Sequence, residues 1–216
     1  MSGSILIADD HPLFRQALGL AVAAVRPAAR VLEAGTLARA ATLAAETNDL
    51  ELILLDLKMP GASGYAGVAL IHAERPLVPI LVVSSADAAQ ALPEVRRFGA
   101  IGFLSKGADL AAIERAIAAA LDGTVAPPPS ADDAPIDPID EVAARVASLT
   151  PTQLKVLLGV LDGRYNKEIA FDLGISEPTV RAHMTAVLRK LDVTSRTQAA
   201  LAARALGLGA PTPIKR

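Results

Sequence analysis

Five short apolar runs alternate with five longer segments of helical spacing in the first 121 residues of the chain. Uninterrupted apolar runs are typical of parallel strands covered on both faces, and their alternation with helices predicts a doubly wound α/β domain. A sheet of this kind binds its ligand at the carboxyl ends of its strands. The runs are Ile5–Ala8, Val31–Leu32, Leu52–Leu55, Ile80–Val83 and Ile101–Leu104, and the helical segments are Pro12–Val25, Leu37–Glu46, Gly64–Glu74, Ala89–Phe98 and Ala108–Leu121.

The composition changes after residue 122, where the chain reads GTVAPPPSADDAPIDPID. Proline blocks helix formation and removes hydrogen-bond donors, so this stretch predicts an extended linker. We therefore expect three parts: an α/β domain over residues 1–122, a linker over 123–148 and a second domain over 149–216. The apolar stretch Val142–Leu149 is a candidate short helix that leads into the second domain.

The second domain has a purely helical pattern. Thr150 and Gln153 have the spacing of a capping box, with Pro151 at the first helical position. Two further helices are Asn166–Leu173 and one that starts after Ser176 as its N-cap and runs to about Leu191. A short turn that begins with Gly174 joins them, which is typical of a helix-turn-helix unit. A fourth helix, Ser195–Leu206, completes an all-α four-helix domain, and its apolar positions Ala199, Leu201, Ala202, Ala205 and Leu206 form a candidate dimer face.

The charge is distributed unevenly along the chain. Residues 149–216 contain ten basic and five acidic residues, whereas the whole chain has a formal net charge of −2. A basic domain behind an acidic spacer indicates binding to a polyanion, although a solvated basic surface alone would give the same count. With four Phe, two Tyr and no Trp, a platform that stacks the bases of single strands is not expected.

The residues and segments that the sequence lacks limit the redox chemistry and the cellular compartment of the protein. The chain has no cysteine, which excludes disulfides and thiolate metal sites. Its first residues have no basic segment of the secretory type, and no apolar run approaches the roughly 18 residues of a membrane helix. We expect a soluble, cytoplasmic protein without a membrane partner.

Polar side chains follow four of the predicted strands. Asp9 and Asp10 follow the first strand, Asp56 the third, Ser84 the fourth and Lys106 the fifth. Since these strand ends converge in a parallel sheet, three carboxylates would lie close together and need a cation. Oxygen ligands without His or Cys favour Mg²⁺. A carboxylate beside Mg²⁺ can attack a phosphoryl group and form an acyl phosphate, whose oxygens a hydroxyl and an ammonium group could hold.

Residues 4–122 resemble a receiver domain of two-component signalling, which has a flavodoxin-like fold. The resemblance rests on IADDH, LLDLKMPGASG, VVSS and GFLSK. It implies that Asp56 is the phosphoacceptor and that Asp9, Asp10, Asp56 and the backbone carbonyl of Lys58 bind Mg²⁺. It also implies that Ser84 and Lys106 act on the phosphoryl group and that the switch aromatic residue is Phe103.

Residues 149–206 resemble the LuxR-type DNA-binding domain of the NarL/FixJ subfamily of response regulators, through LTP, NKEIA, LGIS, TVRAH, RKL and SRTQA. A helix that presents Arg181 can enter the major groove, where arginine reads guanine. The neighbouring Ala182 and Thr185 share that face. Phosphate contacts, which position a protein without specifying sequence, are expected from Lys167, Ser176, Thr179, Arg189, Lys190 and Arg196. Ser176 and Thr179 could equally serve only to cap a helix.

Together these features predict a transcription regulator, not an enzyme. A sensor histidine kinase would phosphorylate Asp56, and the phosphorylated protein would form a homodimer on double-stranded DNA. We also expect the acidic first domain and linker to lie near the basic face until phosphorylation. A Mg²⁺-dependent phosphatase is the main competing hypothesis, but such enzymes usually carry a second aspartate where this chain has Lys58. Two further hypotheses are a DNA-binding protein with a vestigial receiver and an adaptor that binds no DNA.

Overall fold

The computed structural model describes residues 3–85, 88–124 and 138–209. Its first part is a five-stranded sheet in the order β2-β1-β3-β4-β5, and every strand pair is parallel. The predicted doubly wound α/β fold is therefore confirmed. The strands are β1 (Ser4–Ala8), β2 (Arg30–Ala34), β3 (Leu50–Leu55), β4 (Ile80–Ser84) and β5 (Gly102–Ser105).

Helices connect the strands and cover both faces of the sheet. They are α1 (Pro12–Val25), α2 (Leu37–Glu46), α3 (Ala66–Glu74), α4 (Ala88–Arg97) and α5 (Leu110–Leu121). Proline at the first position begins α1, and the side chains of Thr36 and Asp109 cap α2 and α5 by accepting from the backbone N–H groups of Arg39 and Ala112. The bounds of α1 and α2 agree with the sequence prediction.

Alternate residues of the central strands bury their side chains on opposite faces of the sheet. Ile5, Ile7 and Leu54 pack with α1 and α5 on one face, whereas Leu6 and Ile53 pack with α2, α3 and α4 on the other. All five residues are at most 1% exposed. Burial on both faces explains why these strands read as continuous apolar runs in the sequence.

The second part of the chain is helical. Its helices are α6 (Pro138–Ala147), α7 (Pro151–Leu161), α8 (Asn166–Leu173), α9 (Glu177–Leu191) and α10 (Arg196–Ala205). The predicted capping box of Thr150 and Gln153 begins α7, and α8 ends at Gly174, which adopts a left-handed conformation with φ of 64°. Among the described residues, no helix has the length and apolar character needed to cross a membrane.

The segment predicted as a linker is described only in part. Residues 125–137 lie outside the described residues, and the last part of the segment forms α6. Ala143 and Val146 of α6 are buried in the same apolar cluster as α7 and α9. The apolar segment before Thr150 is thus helical, as predicted, although the helix begins earlier than Val142.

The two parts of the chain pack against each other. Helix α3 contacts α6 and α7, and α4 contacts α6. Buried residues of both parts belong to one continuous apolar cluster, and an ion pair between Lys155 Nζ and Glu74 Oε1 at 2.8 Å crosses the boundary. The helical part therefore has a defined orientation on the sheet domain in this structure.

Candidate functional site

The polar residues at the ends of β1, β3, β4 and β5 form one site at an edge of the sheet. Asp9 and Asp56 are 1% and 2% exposed, and Ser84 is fully buried. Lys106 directly follows β5, and its backbone N–H donates to the carbonyl of Ser84 at 3.0 Å. The convergence expected from the parallel topology is therefore present.

Lys106 connects two of the carboxylates. Its Nζ atom lies 2.6 Å from Oδ2 of Asp9 and 2.7 Å from Oδ2 of Asp56. Burial acts to lower the pKa of Lys106, but hydrogen bonds and charge attraction from Asp56 and Asp9 outweigh burial and leave its pKa raised. The ammonium group stays charged at neutral pH and balances part of the negative charge of the site.

Four residues at this site have side chains that could hold a metal ion. One possible ligand atom from each of Asp9, Asp10, His11 and Asp56 lies within 4.8 Å of the others. Oδ1 of Asp10 is buried and accepts no hydrogen bond within the described residues, although Nδ1 of His11 is 2.7 Å away. An anionic oxygen that makes no hydrogen bond and lies in a group of carboxylates is a suitable cation ligand.

Two residues that the sequence prediction missed hold Asp9 in place. The backbone N–H of His11 donates to Oδ1 of Asp9 at 2.8 Å, and Nη1 of Arg15 donates to the Asp9 carbonyl at 2.7 Å. Arg15 is itself held by Glu33 at 2.9 Å. The one feature of the sequence that points to these two residues is the start of α1 at Pro12, because this helix carries Arg15 back over the end of β1.

The other predicted residues of this site lie around the acidic group. The backbone N–H of Lys58 donates to Oδ1 of Asp56 at 3.1 Å, while the Lys58 side chain is exposed. Phe103 is partly buried in β5 and packs against the core. In the sheet, β4 lies between β5 and β3, the strand that Asp56 follows. Lys106 Nζ also lies 5.0 Å from the ring centroid of Phe14, a cation–π contact that the sequence pattern did not indicate.

The second candidate site is the exposed face of α8 and α9. Arg181, Ala182, Thr185 and Arg189 are exposed along α9, whereas Val180, Met184 and Val187 face the core. A concave surface at the entrance to these helices brings together Lys167, Arg181 and Arg196. The three basic side chains, from α8, α9 and α10, thus share one surface.

Several predicted contacts already have a structural role. Oγ of Ser176 accepts from the Thr179 N–H at 3.3 Å and therefore caps α9. Lys190 Nζ donates to the Ser148 carbonyl at 2.7 Å, and Arg196 Nη1 donates to Oδ1 of Asn166 at 2.8 Å. The Arg181 side chain lies 3.4 Å from Glu177 but is 67% exposed, so it remains available to a ligand.

The receiver-like part does not cover this face. It contacts α6, α7 and the segment after α10, while the residues along the outer side of α9 stay exposed. Within the described residues, the acidic domain does not cover the basic face, because the apolar side of α3 packs on α6 and α7 instead, and the part of the linker over residues 125–137 lies outside the described residues.

The proposed dimer face of α10 is only partly on the surface. Leu201 is 61% exposed and Ala205 is exposed, whereas Ala199 and Leu206 are at most 2% exposed within the domain core. Ala202 is intermediate. The side of α10 available to a partner therefore carries Leu201 and Ala205, with Ala202 at its margin.

Both parts of the chain match known families. Residues 5–118 match the response regulator receiver domain, and residues 147–203 match the LuxR family of bacterial regulatory proteins. The glycerol metabolism activator of Pseudomonas putida is 38% identical over 212 residues, covering 92% of this chain and 94% of that protein. The nitrate/nitrite response regulator protein NarP of Escherichia coli strain K12 is 32% identical over 206 residues, covering 91% and 92% of the two chains.

A solved structure supports the same assignment for part of the chain. A LuxR-family two-component response regulator from Aurantimonas sp. SI85-9A1 is 28% identical, covers 57% of this chain and 87% of its own, and superposes with a TM-score of 0.50. The chain belongs to the NarL/FixJ subfamily of DNA-binding response regulators, and it is a transcription regulator, not an enzyme.

Proposed function

We propose that Asp56 accepts a phosphoryl group from a phosphohistidine of a sensor histidine kinase. An Oδ atom of Asp56 attacks the phosphorus, an acyl phosphate O–P bond forms, the P–N bond breaks, and the imidazole leaves with a proton. The observation that carries this proposal is the buried Asp56 carboxylate, 2.7 Å from the Lys106 ammonium and beside two further aspartates.

The surrounding residues have separate roles in this proposal. Asp9, Asp10, Asp56 and the backbone carbonyl of Lys58 would hold Mg²⁺, which when bound neutralises charge on the phosphoryl oxygens. The Lys106 ammonium, kept charged by its neighbours, turns from the free carboxylates to the transferred oxygens. The Ser84 hydroxyl binds another of these oxygens, and Phe103 repacks as Ser84 moves.

The helical domain reads DNA through α9. Arg181 contacts guanine in the major groove, with Ala182 and Thr185 on the same face. The remaining basic and hydroxyl residues contact phosphates and position the helix; these are Lys167, Ser176, Thr179, Arg189, Lys190 and Arg196. The division into residues 1–122, 123–148 and 149–216 stays a prediction.

Phosphorylation then favours a homodimer on double-stranded DNA through the exposed side of α10. Two α9 helices held by one dimer bind two half-sites, which raises affinity for paired sites over single ones. Because the DNA of a bacterium is in its cytoplasm, we place the action of the protein there.

A binding titration of the intact protein tests this proposal. Duplexes selected from a random-sequence pool by the phosphorylated protein are titrated with the phosphorylated protein, the untreated protein and the Asp56→Asn variant. Phosphorylation should raise affinity for the selected duplex in the wild type and change nothing in Asp56→Asn. Equal affinity of all three forms contradicts phosphorylation control, and failure to select any duplex contradicts sequence-specific DNA binding.

A further inference from the structure

An arginine outside the candidate metal ligands holds the backbone of the acidic group. Nη1 of Arg15 donates to the Asp9 carbonyl oxygen at 2.7 Å, and Nε of the same guanidinium donates to Oε2 of Glu33 at 2.9 Å. Arg15 lies near the start of α1, and Glu33 lies in β2, the strand that pairs with β1. The Arg15–Glu33 pair therefore connects the neighbouring strand to the chain segment that carries Asp9 and Asp10.

The backbone of Asp9 is fixed on both of its sides. Its N–H donates to the carbonyl of Ala34 at 3.0 Å, and its carbonyl accepts from Arg15. The peptide group that contains this carbonyl also contains the N–H of Asp10, and a peptide group is planar. Fixing the direction of the Asp9 carbonyl therefore fixes the plane from which the chain continues, and with it the point from which the Asp10 side chain starts.

A guanidinium group can hold this carbonyl because its donors have fixed directions. Its planar fork bonds the Glu33 carboxylate and the Asp9 carbonyl at the same time, whereas a lysine ammonium group is a point charge on a flexible stem. The Arg15 side chain is 18% exposed, and a Cβ atom on Gly35, the residue after β2, would lie 3.7 Å from its Nη1 atom. The surrounding chain thus limits the conformations that Arg15 can adopt.

The Arg15–Glu33 pair places little net charge beside the acidic group. The Glu33 carboxylate offsets the positive charge of Arg15, and within the described residues Arg15 donates to no carboxylate oxygen of Asp9 or Asp10. The ammonium group of Lys106, in contrast, contacts the Asp9 carboxylate at 2.6 Å. Arg15 therefore acts mainly on the geometry of the site, and Lys106 acts on its charge.

Site geometry distinguishes Mg²⁺ from Ca²⁺, because the two ions carry the same charge. Mg²⁺ needs a nearly ideal octahedron of oxygen ligands at about 2.0–2.1 Å, whereas Ca²⁺ accepts flexible arrangements of oxygens at about 2.3–2.6 Å. Ligands that are held in position favour the more demanding ion. The Oδ1 atom of Asp10 makes no hydrogen bond among the described residues, so the backbone that carries Asp10 has a large part in placing this ligand.

We propose that the Arg15–Glu33 pair positions Asp10 through the Asp9 carbonyl and thereby gives the acidic site its preference for Mg²⁺ over Ca²⁺. This inference rests on the proposed Mg²⁺ site beside Asp56. Arg15 and Glu33 are positioning residues, since Arg15 bonds only the backbone of Asp9 and Glu33 bonds Arg15. Residues that orient metal ligands contribute to metal affinity, so loosening the pair lowers the affinity for Mg²⁺ more than the affinity for Ca²⁺.

Substitutions of Glu33 provide the test, because its side chain is 50% exposed and lies outside the core. Glu33→Ala removes the acceptor that holds Arg15, whereas Glu33→Gln loses the same charge but keeps an oxygen that can accept from Nε of Arg15. Arg15→Lys keeps the positive charge and loses the fork. Arg30→Ala is the matched control, because it removes another ion pair of β2, with Asp49 at 3.4 Å, at the opposite end of that strand.

The full-length proteins are loaded with Mn²⁺, whose free form is measured by electron paramagnetic resonance, and Mg²⁺ or Ca²⁺ is titrated in as a competitor. The quantity compared is the ratio of the Mg²⁺ affinity to the Ca²⁺ affinity, in which the effect of a lost charge cancels. We expect the wild type to bind Mg²⁺ more tightly than Ca²⁺. The ratio should fall at least about fivefold in Glu33→Ala and in Arg15→Lys, and stay near the wild-type value in Glu33→Gln and Arg30→Ala.

Three results would overturn the inference. The first is an unchanged ratio in Glu33→Ala or in Arg15→Lys. The second is an equal fall in Glu33→Ala and Glu33→Gln, which would show that the hydrogen bond to Arg15 is not the cause. The third is an equal fall in Arg30→Ala, which would show that the loss of any ion pair of β2 has this effect. If the wild type binds neither Mn²⁺ nor Mg²⁺, the proposed metal site fails instead.

Discussion

The Nζ atom of Lys106 lies 2.7 Å from Oδ2 of Asp56, although the two residues are 50 positions apart in the sequence. The same ammonium group lies 2.6 Å from Asp9, so one cation offsets part of the charge of two buried carboxylates. The Lys106 ammonium group is therefore already in place to pair with an incoming phosphoryl group, and no new cation has to enter the site.

Removing that cation should make the fold depend on metal. Lys106→Met leaves Asp9 and Asp56 buried without their ammonium partner, and we expect a loss of about 3 kcal/mol in the free energy of unfolding without metal. Mg²⁺ should recover more of this stability in Lys106→Met than in the wild type. Urea unfolding with and without Mg²⁺ measures this, and Lys58→Met, whose side chain is exposed, is the control. Equal Mg²⁺ effects in Lys106→Met and the wild type would argue against the charge balance described for the site.

Asp10 should act on metal affinity directly. Asp10→Asn removes a carboxylate whose buried Oδ1 makes no hydrogen bond among the described residues and lies 2.7 Å from Nδ1 of His11, and we expect Mg²⁺ affinity to fall at least about tenfold. Calorimetric titration with Mg²⁺ is the measurement, with Asp49→Asn, at a distant surface ion pair with Arg30, as the control. Unchanged affinity in Asp10→Asn would remove Asp10 from the ligand set.

His72 should make stability depend on pH. Its ring lies against Gly99, its Nδ1 atom is buried without a hydrogen-bond partner in the described part of the chain, and burial lowers its pKa. Since the unfolded chain has a His pKa of about 6.5, it binds the proton more readily than the folded chain, and stability falls as pH drops below that value. The free energy of unfolding should therefore fall more in the wild type than in His72→Gln between pH 7.5 and 5. Parallel pH profiles would show that His72 does not contribute.

Two substitutions on α9 should separate base reading from phosphate contact. Arg181→Ala should cost about 1–3 kcal/mol on a selected duplex and relax the preference at one base position. Arg189→Ala should weaken selected and random duplexes by similar factors and reduce the slope of affinity against salt. Fluorescence anisotropy on both duplexes at several salt concentrations makes the comparison. Uniform weakening by Arg181→Ala would assign it to the phosphates instead.

Most helix bounds could be predicted because local chemistry marks them. Pro12 begins α1, Thr36 caps α2, and Gly174 ends α8, so the periodic pattern and the cap agree at each position. The start of α3 was predicted at Gly64 but lies at Ala66, because Gly64 takes a left-handed conformation to meet Leu208. That contact joins distant parts of the chain and has no local signal.

The sequence predicted the main residues of the candidate site, but not the residues that hold them in place. The topology of a parallel sheet brings Asp9, Asp56, Ser84 and Lys106 together whatever the details of their side chains. The roles of His11 and Arg15 in holding Asp9 depend on how α1 turns back over β1, which a strand-by-strand pattern does not encode. The packing of α3 on α6 and α7 likewise joins segments that are distant in the sequence, so the local sequence pattern does not predict it.

Locating the phosphoryl group tests the central claim of this account most directly. The intact protein is incubated with acetyl phosphate and Mg²⁺, reduced with borohydride to convert an aspartyl phosphate into homoserine, and mapped by tandem mass spectrometry. We expect one modified residue, Asp56, and no modification in Asp56→Asn. Modification at another aspartate, or equal incorporation of phosphate by Asp56→Asn and the wild type, would contradict the assignment of Asp56 as the phosphoacceptor.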